Sequence, residues 1–179
     1  MRIFRRLGFG IQSPWAYELV TNVLYGKSQY YAFPDLRSRY PDHVRRGEQL
    51  FRLVNHLRPA TAAIICDGSA TATLPVEAMK AYMTAARKDL AVQVLNTTPA
   101  CRFDIILVVT PTAFRPDEWL ASHLHDDSTC MVVEDIRHEG KALWERLTAE
   151  PQVTASFDIR RRRGIAFFDI RRIKAKYKI

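Results

Sequence analysis

The chain has 179 residues, 47% hydrophobic and 26% charged, with 27 Lys and Arg against 19 Asp and Glu. That balance excludes a disordered polypeptide and predicts one domain with its own core. No run reaches the roughly 18 apolar residues of a membrane span, and the basic start M-R-I-F-R-R-L-G lacks the apolar stretch of a secretory signal, so a soluble cytoplasmic protein is expected. The net charge of +8 is local: residues 160–179 hold nine of the basic residues and one acid, and the rest of the chain is balanced. Cys66, Cys101 and Cys130 are widely spaced, without a CxxC pair, and read as reduced thiols.

In chain order, Ser13 offers a capping hydroxyl and Pro14 fits the first helical position, where no N–H is needed. Leu19, Val20, Val23 and Leu24 supply that helix's apolar stripe. Residues 29–43 are aromatic and broken by proline, so an irregular segment is expected. A helix over about 45–57 places Leu50, Phe51, Val54 and Leu57 on one face and stops before Pro59. Residues 62–66 then read as a strand, and 74–88 as a helix with Val76, Met79, Met83 and Ala86 at helical spacing. Strands follow at 91–95, 103–109 and 129–133. Before the last of these, Pro116 opens a helix with Asp117 and Glu118 in its first turn, where the positive end of the dipole favours acids. The unbroken I-I-L-V-V suits a parallel strand covered on both faces. After a helix over about 138–149, Val153, Ala155, Phe157 and Ile159 alternate with polar residues. R-R-R-R-G then gives a glycine-bearing turn into I-A-F-F-D-I, an antiparallel hairpin followed by a frayed terminus.

Three places in this plan carry chemistry. The stretch I-I-C-D-G-S-A-T-A-T-L-P at 64–75 is a strand leading into small residues, and Pro75 suggests a helix start near Leu74. In doubly wound sheets such a turn lets backbone approach a ligand closely, which makes Asp67, Gly68 and Ser69 candidates. A plain connecting loop fits one lone glycine as well. Glu134 and Asp135 follow a buried strand at the carboxyl edge, where they can accept a proton, hold a ligand hydroxyl or bind a cation. A capping acid bridged to Arg137 is the alternative. The basic stretch from Arg160 to Arg163 can bind phosphates by counterion release, although a solvated turn is the simpler reading. His123, His125 and Asp126 are ligand types, but positions i and i+2 do not share a helix face, so no metal site is assigned. Hydrolase chemistry has no foothold, since G-x-S-x-G is absent.

L-F-R-L-V-N-H-L-R-P at 50–59, with the strand and small-residue loop after it, resembles the entry to motif I of class I S-adenosylmethionine-dependent methyltransferases. G-I-Q-S-P-W at 10–15 is similar to the G-V/I-H-S-P-F/W segment of the small O-methyltransferase-like branch. V-V-E-D-I-R-H-E-G-K-A-L-W-E-R-L at 132–147 with the hairpin is similar to that branch's last strand–helix–hairpin unit. The resemblance implies a single domain over 1–179. Residues 1–58 would form a helical and aromatic extension, and 59–179 a shortened Rossmann-like α/β core. That core would have a mostly parallel sheet, helices on both faces and a C-terminal antiparallel hairpin. It further implies S-adenosylmethionine as cofactor, with Asp67, Gly68, Ser69, Glu134 and Asp135 as its contacts.

The chain departs from the family where the donor is held. An acid and three alternating glycines become Ile64, Cys66, Gly68 and Ala70; the ribose-binding acid becomes Asn96; and the aspartate of the family's D-G-N-H becomes Val109. The segment between the loop and F-D-I-I-L-V-V is too short for two crossovers, so one βα unit is expected to be missing. The expectation is a methyltransferase-like protein with weakened or lost cofactor binding and catalysis. Two alternatives stand beside it. One is an interaction module pairing with itself or a partner through the hairpin or aromatic segment; the other is phosphate or nucleic-acid binding by the basic hairpin.

Overall fold

The computed structural model describes residues 11–122, 128–169 and 174–179. Backbone contacts divide the chain into two compact units, one holding the residues up to Arg58 with Glu77–Leu90, the other Pro59–Val76 with Ala91–Ile179. Among the described residues no helix is long and apolar enough to cross a membrane.

In the first unit, Ser13 caps α1 (Pro14–Glu18), which continues as a π-helical turn over Leu19–Leu24 and ends with the Tyr25 N–H on the Val20 carbonyl at 3.0 Å. Two buried side chains satisfy the carbonyls at that end: Arg52 Nε donates to Val23 O at 2.8 Å and Gln49 Nε2 to Leu24 O at 3.1 Å. The segment expected to be irregular instead contains α2 (Phe33–Arg39) and a 3₁₀ turn, Pro41–His43. Proline does not break α2, because Pro34 sits in its first turn, where the missing N–H would have had no helical partner. Helix α3 (Val44–Leu57) follows, and Arg58 ends it in the left-handed conformation at φ 53°. Phe33, Leu36, Phe51 and Tyr82 form a core cluster in this unit, and the rings of Tyr30, Phe33 and Phe51 lie 4.7–5.2 Å apart.

The second unit is built on one seven-stranded sheet of order β2-β1-β3-β4-β6-β5-β7. Its strands are β1 (Thr61–Ile65), β2 (Ala91–Leu95), β3 (Ile105–Val108), β4 (Cys130–Glu134), β5 (Ala155–Ile159), β6 (Arg163–Phe167) and β7 (Ala175–Lys178). Strands β1 to β4 pair in parallel, β6 runs antiparallel to β4 and β5, and β7 runs parallel to β5. This is a Rossmann-like α/β sheet, mostly parallel, ending in an antiparallel hairpin. Ala63, Ile65, Ile106, Val108, Met131 and Val133 bury one face in a cluster with Trp119 and Leu120 of α5 (Pro116–Ala121) and Leu143, Trp144 and Leu147 of α6 (Lys141–Ala149). On the other face, register lines up Ile64, Leu107, Val132 and Ile165, all fully buried. At the amino ends of β1 and β3, the Asp104 carboxylate accepts the N–H groups of Ala60 (2.7 Å) and Thr61 (3.0 Å), while the Thr61 hydroxyl accepts the N–H of Asp104 at 3.1 Å.

Only β2 stands between β1 and β3 in sequence, and no described strand pairs with its outer edge. Two expectations about the C-terminus are corrected. The hairpin turn is not made by glycine. Arg160 (φ 53°) and Arg161 (φ 58°) are its left-handed residues, and Gly164 lies within β6, where a Cβ would meet the Trp144 ring at 2.5 Å. Nor is the tail frayed: β7 pairs with β5, and Tyr177 stacks on Phe157 with centroids 4.8 Å apart. All three cysteines are free; Cys66 and Cys130 are buried, and burial pushes the Cys130 thiol well up from its ordinary range.

Candidate functional site

The chain steps from β1 outward to β2, then returns to the other side of β1 to add β3 and β4. The reversal falls between β1 and β3, and in open α/β sheets ligands bind outside the carboxyl ends of the strands at that point. Three segments converge on that edge of the sheet: 66–69 after β1, 109–111 after β3 and Asp135 after β4.

The turn after β1 is shorter than Pro75 suggested, because helix α4 (Ala70–Ala86) begins four residues earlier than Leu74 and carries Pro75 inside it. Asp67 explains the early start. Its Oδ1 accepts the N–H of Ser69 at 2.9 Å, a local turn that sets the chain into the helix. Gly68 between them has φ 76°, a conformation open to glycine, and a Cβ there would find nothing within 4 Å. The Ser69 side chain and N–H, followed by the Thr110 hydroxyl, hold the Asp67 carboxyl below its ordinary range. Thr110 Oγ1 lies 3.5 Å from Asp67 Oδ1, which brings the ends of β1 and β3 face to face. Beneath them, the N–H groups of Val109 (2.9 Å) and Thr110 (3.3 Å) share the Ile65 carbonyl.

Glu134 and Asp135, adjacent in sequence, have separate surroundings. Glu134 is 6% exposed and lies directly across from Arg163 in the β4–β6 register. Arg163 Nε donates to its Oε1 at 2.8 Å, and Nη2 reaches the same oxygen. Asp135 adopts φ 47°, and its carbonyl accepts the N–H groups of His138 and Gly140, both at 3.0 Å. That wrap delays the start of α6 to Lys141 and needs Gly140, whose Cβ would lie 2.2 Å from Glu134 O. Asp135 Oδ1 is 3.1 Å from His138 Nδ1, an exposed pair in which the carboxylate orients the imidazole. His138 was not among the sequence candidates; an Asp three residues before a His was the available signal. The structure therefore brings Asp67, Gly68 and Ser69 together at the switch point with Thr110, ties Asp135 to His138, and places Glu134 in a buried ion pair. His123, His125 and Asp126 lie outside the described residues, and no metal-holding cluster occurs among the described ones.

Three positions at this edge carry apolar or neutral residues where the resemblance implies acids. Ile64 is not a vacant acid position but a member of the buried row that includes Leu107, Val132 and Ile165. A carboxylate there would lose its hydration without a partner. Val109 is apolar, and β2 closes on Asn96.

The chain is thus a Rossmann-like α/β protein whose parallel sheet ends in an antiparallel hairpin. Its trace is similar to that of the Podospora anserina methyltransferase PaMTH1 bound to SAH, at 12% identity over 87% of this chain and 96% of that one, with a TM-score of 0.45. It is also similar to the O-methyltransferase TomG from Streptomyces achromogenes in complex with SAM (12% identity, 86% and 94% covered, TM-score 0.43). An O-methyltransferase from Bacillus cereus in complex with SAH is similar too (13%, 85% and 96%, TM-score 0.42). No family model matches the sequence, and no curated protein matches it.

Proposed function

We propose that this chain is an S-adenosylmethionine-dependent methyltransferase-like protein whose grip on the donor is weakened or lost. The observation that carries the reading is Ile64, built into the sheet's packing at the position where the resemblance implies an acid. Glu134 adds to it, since its carboxylate is engaged by Arg163 rather than offered to a ligand. The edge keeps the Gly68 turn, the Asp67 carboxylate and the Asp135–His138 pair, polar groups suited to a small polar ligand. Isothermal titration with S-adenosylmethionine and with its demethylated product tests the proposal. The expected result is no heat, or a dissociation constant weaker than about 1 mM; micromolar binding of either compound would overturn it.

A second reading, association with another copy of the chain, is favoured by β2. This edge strand lacks a described outer neighbour and leaves Val94 44% exposed. Such an edge presents unpaired backbone donors and acceptors and pairs readily with a like strand. Light scattering should give a dimer mass that Val94→Lys returns to the monomer; a monomer at all concentrations rejects this reading.

A further inference from the structure

A cleft of about 510 Å³ opens between α6 and the face of β5 and β7, and its lining includes none of Asp67, Gly68, Ser69 or Asp135. Its floor follows from strand alternation and register. Ser156 lies opposite Lys176 and Asp158 opposite Lys178, so all four share one face. Trp144 of α6, packed on Gly164, walls the inner side. Arg137 from the loop after β4, Lys141 of α6 and Arg161 of the hairpin turn complete a set of five cations, facing two acids, Glu145 and Asp158. Both acids are already engaged: Asp158 Oδ1 accepts the Arg161 N–H at 2.7 Å, and Glu145 lies 3.9 Å from Lys141 Nζ. The cleft presents a surplus of positive charge.

Two observations separate this surface from an ordinary solvated one. The first is the hairpin turn. Arg160 and Arg161 are consecutive left-handed residues, and the turn closes with the Arg162 N–H on Ile159 O at 3.0 Å. Left-handed central positions of this kind favour Asn-Gly, and arginine in both is strained, yet this conformation places Arg161 in the lining of the cleft. The second is spacing. Lys176 and Lys178 are two residues apart on one face of an edge strand, hence about 6.6 Å apart, a repeat suited to successive phosphates of an extended strand.

We propose that this cleft binds the phosphodiester backbone of single-stranded nucleic acid. Lys176 and Lys178 track successive phosphates, and Arg137, Lys141 and Arg161 close over them from the other side. The volume suits one to two nucleotides at a time, and among the described residues no strand covers the outer edge of β7, where the bound strand continues. The basic stretch singled out in the sequence thus divides: Arg161 faces the cleft, while Arg163 is buried against Glu134.

Fluorescence anisotropy of the full chain with labelled oligouridylate and oligothymidylate of about twelve nucleotides tests this. Binding is expected to weaken between about 50 and 200 mM salt, with a log–log slope of about −1.4 for the two phosphates seated in the cleft. Lys176→Ala with Lys178→Ala should weaken it about tenfold and flatten the slope. Arg160→Asn with Arg161→Gly should raise the melting temperature while lowering affinity, two opposite movements that a purely structural turn would not give. Loss of binding to both oligonucleotides, unchanged affinity in the lysine variant, or a mononucleotide that binds as tightly as the oligonucleotide would each overturn the proposal.

Discussion

Replacing Arg163 with alanine is expected to cost about 3–5 kcal/mol of folding stability, because it leaves the Glu134 carboxylate buried without its partner. The two residues are directly opposed on β4 and β6, and their side chains are 3% and 8% exposed. Water cannot replace the guanidinium there, and a typical domain has only about 5–15 kcal/mol in total. The attraction between the charges is not itself the measure of that loss. Desolvating both ions offsets most of it, so replacing the pair with Glu134→Leu and Arg163→Met should recover stability to near the parent value. Urea unfolding of the two single variants and the double variant closes the cycle. A loss below about 1 kcal/mol in Arg163→Ala would mean the pair is solvated like a surface bridge.

Gly47→Ala should be destabilising by about 1–3 kcal/mol even though alanine is the better helix former. Helical propensity alone favours the change by about 1 kcal/mol. Against it stands Tyr82, whose Cδ2 and Cε2 would both lie 2.2 Å from the new methyl group. Tyr82 is fully buried in the cluster with Phe33, Leu36 and Phe51, so its ring has no free space to move into. Overpacking of this kind costs more than propensity returns. The sign should reverse in a Tyr82→Ala background, where the obstructing ring is gone and only the propensity gain remains. Thermal unfolding monitored by circular dichroism reads both; an additive pair of effects would show that the two positions do not meet.

What the sequence made legible was the part governed by periodicity. The apolar run at 105–109 and the alternation from Val153 to Ile159 announce a parallel strand and a hairpin strand because burial on two faces and on one face demand different patterns. That a single strand stands between β1 and β3 follows from the few residues available there. Where side chains act at a distance, the reading failed. Nothing local says that Gly164 packs against Trp144, twenty residues earlier, so R-R-R-R-G reads as a glycine-bearing turn. Residues 175–178 carry no apolar run, and pairing with β5, with Tyr177 stacked on Phe157, makes them a strand. Of the site, the Asp67–Ser69 turn stood where strand and helix signals met. The fate of Glu134 was decided by Arg163, across the sheet and 29 residues away.

The clamp between Asp104 and Thr61 makes the first and third strands unequal at their two ends. At the amino end, three hydrogen bonds cross between them through side chains, and the Asp104 carbonyl also receives the Cys130 N–H at 2.9 Å, stitching in the fourth strand. At the carboxyl end, one carbonyl, that of Ile65, serves two donors. Mechanically the pair behaves as a zipper with a sewn base and a loose tab. Were these strands to part, opening is expected to start above Ile65 and to reach Thr61 last, leaving the floor beneath Asp67 and Thr110 closed.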